Sequence, residues 1–432
     1  MKVTVVGLWH LGTVTAACLA SGGHEVTGLE FDPETVTRLR AGVPPLFEPG
    51  LEDLVKQGLV AGQLKFTVET AEALAGAEIV WVTYDTPVDE ADRADVAFVT
   101  SRVARLFPHL PKGALVIISS QVPVGATRRL EQDYAAAHPE KPVTFGYLPE
   151  NLRLGKAISV FTQPDRVVVG LRSEADRERV AALLRPFTER IEWMSVESAE
   201  MTKHALNAWL ATSVVFINEV AVLCEHVGAD AKDVERGLKS ETRIGPKAYL
   251  SPGAAFAGGT LARDVNFLAQ IGAEHQLPAR LFAAVQGSNE EHKQWARRKL
   301  SALLGELRGR TVAVWGLTYK PGTDTLRRSA AVELCEWLVG QGAHVQAHDP
   351  AVKALPNELA QTIDLHPTPE AALSGAEALV VATEWPDYLT CDVDVIATRM
   401  KTPVVIDANR FLAKQLSDDA RVRYAVVGRA AG

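Results

Sequence analysis

The chain alternates between short apolar runs and longer stretches in which apolar residues recur at helical spacing. KVTVVG at the N-terminus reads as a buried strand. A glycine-bounded turn, the apolar helix TVTAACLASGG and a second strand, HEVTGLEFD, carrying Glu30 at its end, follow it. Four further strands, AEIVWVTYDTP, ALVIISSQVP, VTFGYLPEN and RVVVG, come with helices between them. This alternation predicts a parallel sheet covered on both faces. Ligands of such sheets bind beyond the carboxyl ends of the strands, so Asp85, Thr86, Gln121 and Leu148-Pro149-Glu150 are site candidates.

From about Ser198 the period changes. AEMTKHALNAWLATSVVFINEVAVLCEHVGA predicts one long amphipathic helix. Lys203 and Asn207 are four residues apart and share a face, with Asn218 about three turns further along it. Tyr249–Asp264, YLSPGAAFAGGTLARD, is rich in small residues (Gly253, Ala254, Ala255, Gly258, Gly259) that let backbone approach a bound group. Arg263 and Asp264 are expected to close this loop before a second helical block from about Asp264 to Gly305. At Arg310 the strand pattern restarts with TVAVWGLTYKPGTD. QGAHVQAHDPAV then parallels GGHEVTGLEFDPE, and SGAEALVVATEWP parallels AGAEIVWVTYDTP. The expected fold is α/β: two Rossmann-like parallel-sheet domains, residues 1–197 and 306–432, joined by a helical connector, 198–305, that carries the loop.

A length of 432 residues is too great for one core and agrees with that division. A net charge of −8 without a long basic run argues against nucleic acid as a partner but not against a small anion. No apolar run is read as a membrane span, and the N-terminal run fits a strand better than a signal peptide. Cys18, Cys224, Cys335 and Cys391 are widely separated, with neither a disulfide framework nor a zinc spacing. No metal is expected, and a reducing cytoplasm is the default.

The first strand–turn–helix–strand unit has the pattern of a dinucleotide site. The helix N-terminus offers N–H groups to a pyrophosphate, and Glu30 can accept ribose hydroxyls. The fingerprint itself is altered: Gly7-Leu8-Trp9-His10-Leu11-Gly12 puts an indole where the middle glycine belongs. Taken alone, the loop leaves open a Rossmann-shaped domain that binds no dinucleotide.

FEPGLEDLV (47–55), VPVGATRRL (122–130), PENLRLG (149–155), AEMTKHALNAWLATSVVFINE (199–219), SPGAAFAGG (251–259) and GLTYKPGTDTLRRS (316–329) occur in one order along the chain. Together they resemble the signatures of the UDP-glucose/GDP-mannose dehydrogenase family over nearly the whole sequence. The resemblance implies oxidation of the C6 alcohol of a nucleotide sugar by NAD, with a cysteine holding the intermediate as a thioester. It implies a water-activating carboxylate at Glu150, an oxyanion-stabilising pair at Lys203 and Asn207, and a water-ordering carboxylate at Asp264. Gly7, Leu11, Gly12, Glu30, Thr86, Gln121, Arg263 and Arg327 are implied to bind the cofactor. Leu152, Arg153, Lys203, Tyr249, Gly253, Gly258 and Lys320 are implied to bind the sugar nucleotide. Arg327 is implied to act across a subunit interface, hence a homodimer or larger homo-oligomer.

The chain departs from the family pattern at several positions. Thr260 stands in the register of the nucleophilic cysteine, Arg263 in that of a lysine, Leu154 in that of a glutamate and Gln121 in that of a threonine. Asp85 and Trp9 stand where the family has glycine. An unassisted alcohol ionises far less readily than a thiol, so a thioester route is not expected. Three readings follow: an NAD-dependent oxidoreductase without the thioester, a redox-neutral epimerase, lyase or transferase on a nucleotide-linked substrate, and a non-catalytic nucleotide-sugar binder.

Overall fold

The computed structural model describes residues 1–89, 94–257 and 259–430. The chain divides into two compact units, Met1–Ala205 and the residues from Leu206 onward. The first is built on eight strands: β1 (Lys2–Val6), β2 (Glu25–Leu29), β3 (Leu64–Thr67), β4 (Ile79–Val82), β5 (Leu115–Ile118), β6 (Thr144–Tyr147), β7 (Val167–Leu171) and β8 (Ile191–Met194). Their order is β3-β2-β1-β4-β5-β6-β7-β8, so the direction of winding reverses between β1 and β4. That reversal opens a crevice at the strand ends.

Successive residues of each strand enter different cores because side chains alternate across a sheet. Val3, Val5, Ile79, Trp81, Leu115 and Ile117 pack in one cluster. Val6, Val80, Val82, Val116 and Ile118 pack in another. Burial on both faces is why these strands read as unbroken apolar runs. The first helix, His10–Ser21, is buried at every position from Leu11 to Ala20, which explains its lack of a polar face.

One pairing departs from the expected parallel arrangement. β6 and β7 run antiparallel, with Tyr147 opposite Gly170. The reason is the path of the chain. It leaves β6 at the carboxyl end of the sheet, runs through Pro149–Gly155 and enters β7 from that same end, so this segment stays beside the crevice.

The second unit carries β9 (Thr311–Trp315), β10 (His344–His348), β11 (Ile363–Leu365), β12 (Ala378–Val381), β13 (Val404–Asp407) and β14 (Arg423–Ala425). They form one six-stranded sheet in the order β11-β10-β9-β12-β13-β14, and every pairing in it is parallel. Two α/β bodies and long helices are therefore present, in the Rossmann order.

The predicted long helix spans Val196–Val227, and the division between units falls within it. By length and composition its most apolar stretch meets the requirement for a membrane span, contrary to the sequence reading, but 44% of that stretch is buried inside the protein. Ala208, Ala211 and Val215 pack there with Val265, Leu268 and Val285. Helices Gly259–Glu274, Arg280–Lys293 and Trp295–Leu304 make up the second helical block. The first of them starts earlier than the sequence reading placed it. Leu261 already packs on the same core as Val265 and Leu268, so the apolar stripe begins before Asp264. Arg263 and Asp264 accordingly lie on the helix and do not close a loop ahead of it.

Candidate functional site

In the first unit the site grows from the turn after β1. Gly7 has φ +90°, and a Cβ there would fall 2.6 Å from the Tyr84 ring. A Cβ on Gly12 would lie 1.9 Å from the carbonyl oxygen of Gly7, so only glycine lets the helix start this close to the strand. Leu11 is buried beneath the turn. Trp9 adopts ordinary extended backbone, and its side chain is 51% exposed. The indole is thus half in solvent and forms part of the lining of the cavity beside the turn.

No side chain caps the N-terminus of this helix, so its first N–H groups remain a site for an anion. Glu30 accepts hydrogen bonds from the N–H groups of Leu8 (2.8 Å) and Phe31 (2.7 Å), which fixes its carboxylate beside the turn. Gly7, Trp9, Glu30, Tyr84, Asp85, Pro87, Phe98 and Arg102 line a cavity of about 280 Å³. The Arg102 guanidinium lies 3.5 Å from the centroid of Phe98, and that of Arg105 lies 3.6 Å from the centroid of Phe31. An uncapped helix end, a glycine cradle and a fixed acid fit a dinucleotide.

The loops after β4, β5 and β6 complete this half. The Thr86 hydroxyl donates to the main-chain oxygen of Gln121 (2.7 Å), joining two of the predicted residues. Lys203 is buried, and its ammonium donates to the main-chain oxygen of Glu150 and, at 3.5 Å, to Asn151 Oδ1. It therefore holds the segment that carries Leu152 and Arg153, through the backbone of Glu150.

Two carboxylates that the sequence reading assigned no role shape these loops. Glu200 is fully buried and accepts from the N–H groups of Gly125 (2.6 Å) and Thr127 (3.0 Å), capping helix Ala126–Ala137. Glu48, from the FEPGL motif, accepts from the N–H groups of Gly155 and Ala157 (2.8 Å each) and lies 2.9 Å from His10 Nε2. It links the first turn of the cofactor helix to the Pro149–Gly155 segment. The spacing of such pairs in sequence gives no local signal of the contact.

In the second unit, Asn207 donates its amide to the Asp264 carboxylate, and both are buried. Thr260 is exposed, and Arg263 is half-buried, on the first turns of helix Gly259–Glu274. Gly258 lies outside the described residues. Tyr249 is largely exposed. Gly253 is buried, and a Cβ there would fall 2.1 Å from Asn409 Oδ1. Side chains of Asn218, Asn289, His292 and Asn409 bind the main chain of residues 253–256. Of these four, the sequence drew attention only to Asn218.

Lys320 sits over the Tyr319 ring (5.4 Å) and Arg327 is exposed, both between β9 and helix Ala330–Gly340. All four cysteines are buried and free of disulfides. Burial pushes the Cys18 and Cys335 thiols up to about 12 and that of Cys391 to about 11.

Comparison with known proteins agrees with this construction. Residues 1–188 match the NAD binding domain of the UDP-glucose/GDP-mannose dehydrogenase family, 197–291 its central domain and 313–414 its UDP binding domain. A UDP-glucose 6-dehydrogenase of Pseudomonas aeruginosa is 36% identical, with 99% of this chain and 98% of that protein aligned. One from Rhizobium meliloti is 34% identical over 99% and 100% of the two chains. The solved structure of a UDP-glucose dehydrogenase from Pyrobaculum islandicum superposes with a TM-score of 0.87 at 31% identity, covering 99% of this chain and 98% of that one. With its NAD cradle, its helical centre and its second α/β body all matched, this chain belongs to the UDP-glucose/GDP-mannose dehydrogenase family of NAD-dependent nucleotide-sugar dehydrogenases.

Proposed function

We propose that this chain oxidises the primary alcohol of a nucleotide-activated sugar, with UDP-glucose as the first candidate, and forms no thioester. The observation that carries this reading is the state of the nucleophiles. Thr260, in the register of the family's cysteine, is an exposed alcohol, and every cysteine of the chain is buried. NAD, when bound at the first helix, supplies the hydride acceptor.

The sugar alcohol loses a hydride and a proton to become an aldehyde, which adds water to give a hydrate. Loss of a second hydride and proton leaves the carboxylic acid, so two NAD are reduced for each sugar and one water is consumed. Lys203 and Asn207 are assigned to the developing oxyanion, where a fixed cation and a neutral donor act before charge forms. Asp264, oriented by the Asn207 amide, orders the water and receives its proton. Glu150 assists at that water.

Gly7, Leu11, Gly12, Glu30, Thr86, Gln121, Arg263 and Arg327 are assigned to the cofactor. Leu152, Arg153, Tyr249, Gly253, Gly258 and Lys320 are assigned to the sugar nucleotide. The functional division follows residues 1–197, 198–305 and 306–432, and the free cysteines suit a reducing cytoplasm.

A homodimer is proposed as well. Trp209, Phe216 and Leu223 recur at seven-residue spacing on the long helix and are 70%, 48% and 64% exposed, a stripe that a second copy of the helix would cover. Incubation with NAD and a panel of nucleotide sugars tests the reaction. Two NADH per sugar and a product heavier than the alcohol by the change from CH2OH to COOH are expected. Turnover of the sugar without NADH would overturn it in favour of redox-neutral chemistry.

A further inference from the structure

We propose that Asn289 and His292 are positioning residues that hold the backbone of residues 253–256 in the shape that receives the sugar nucleotide. The inference rests on the reading above that this segment floors the substrate site.

Gly253, Ala254 and Ala255 have almost no side chain to bury, so apolar packing does little to fix the shape of the segment. Hydrogen bonds from four side chains fix it. Asn289 Oδ1 accepts from Phe256 N–H (3.0 Å), and its Nδ2 donates to Phe256 C=O (3.0 Å), the pairing a neighbouring strand would make. His292 Nε2 lies 2.8 Å from the Gly253 oxygen, which only accepts, so Nε2 carries the proton. Asn218 accepts from Gly253 N–H (2.9 Å) and donates to Ala254 C=O (3.2 Å). Asn409 accepts from Ala254 N–H (2.7 Å).

Every main-chain polar group of Gly253, Ala254 and Phe256 thus meets a side chain. Asn289 and His292 are spaced to share one face of helix Arg280–Lys293 and are 3% and 8% exposed. They act from behind the floor and reach the ligand through it. Burial holds the His292 imidazole below its ordinary pKa, so the clamp is neutral and adds no charge beneath the sugar.

The test compares Asn289→Leu, His292→Leu and His292→Gln with the unaltered chain. Amide hydrogen exchange of residues 251–257 is followed by mass spectrometry, and UDP-glucose and NADH are titrated separately by calorimetry. Asn289→Leu is expected to speed exchange of the segment and weaken UDP-glucose binding about tenfold, leaving NADH within about twofold. His292→Leu should weaken UDP-glucose about fivefold, and His292→Gln, which keeps a donor, should restore most of it. If Asn289→Leu cannot be purified folded, the leucine and glutamine pair at His292 decides alone.

Unchanged exchange in the leucine variants would overturn the clamp. So would an equal loss of NADH affinity, or a failure of glutamine to restore what leucine removes, because each marks general damage. Faster exchange with unchanged UDP-glucose affinity would overturn the role of the segment in the substrate site. An unaltered chain that binds no UDP-glucose refutes the proposed substrate, while the exchange measurement still judges the clamp.

Discussion

The two α/β bodies share one local design and differ in what it leaves open. Gly7 follows β1 and Gly316 follows β9, both at φ +90°, and a Cβ on either would strike the chain beyond the neighbouring strand: Tyr84 at 2.6 Å, Thr383 at 2.3 Å. The next residue in each case donates its N–H to an acid placed just after the second strand. Leu8 donates to Glu30 (2.8 Å), and Leu317 donates to Asp349 (2.7 Å).

From there they diverge. Asp349 Oδ2 also accepts from Thr318 N–H, the Thr318 hydroxyl and the Trp385 indole, each at 3.1 Å, and Oδ1 accepts from Ala351 N–H (2.9 Å). It is a structural carboxylate, buried and already accepting five hydrogen bonds from its own body. Residues 317–329 separate Gly316 from helix Ala330–Gly340, whose N-terminus is capped by the Ser329 hydroxyl. The first helix has no such cap and starts three residues after Gly7. A sequence echo therefore preserved the turn and the acid, whereas the open helix end that suits a dinucleotide survives in the first body alone. The second body matches a UDP binding domain and must hold its nucleotide by other means.

The comparison can be broken at several places. Gly12→Ala should do most damage, because its Cβ would lie on the Gly7 carbonyl. NADH affinity is expected to fall on the order of 100-fold, with UDP binding retained, as read by calorimetry. Asp349→Ala should leave several buried donors unmet and lower stability by about 3 kcal/mol or more in denaturant titration, with little effect on NADH. Glu30→Ala should show the opposite balance: about tenfold weaker NADH binding, with about 1 kcal/mol of stability lost. If Asp349→Ala weakened NADH more than Glu30→Ala, the division of roles would be wrong. Ser329→Ala should cost about 1 kcal/mol, the usual value for a lost cap, and leave NADH binding alone.

A smaller effect follows from His292. Its pKa is held below 6.5 by burial, the main cause, with Arg298 adding to the effect while the bond to Gly253 and the charge of Glu225 oppose it. Near and below pH 6.5 the unfolded chain binds the proton more readily. Stability from this group is therefore complete above 6.5 and falls as the pH drops toward the folded value. The melting temperature of His292→Gln should accordingly fall less than that of the unaltered chain between pH 7.5 and 5.5.

Part of the candidate site's local geometry was legible in the sequence because its signals are local. The Gly7–Gly12 turn, the acid at Glu30, the strand-end residues Thr86 and Gln121, and the four-residue spacing of Lys203 and Asn207 each follow from short-range pattern. What stayed hidden depends on tertiary packing. The direction of the Trp9 side chain decides whether the turn admits a cofactor, and no spacing rule supplies it. Glu48 and Glu200 cap helices that lie far from them along the chain. Asn289 and His292 look like ordinary polar positions on a helix until the segment they hold is seen in place.

The reaction without a thioester is tested most directly by the intact mass of the protein, quenched during turnover with NAD and UDP-glucose. NADH should accumulate while the protein mass stays unchanged. A mass increment the size of the nucleotide-sugar acyl group, mapping to one of the four cysteines or to Thr260, or no NADH at all, would contradict it.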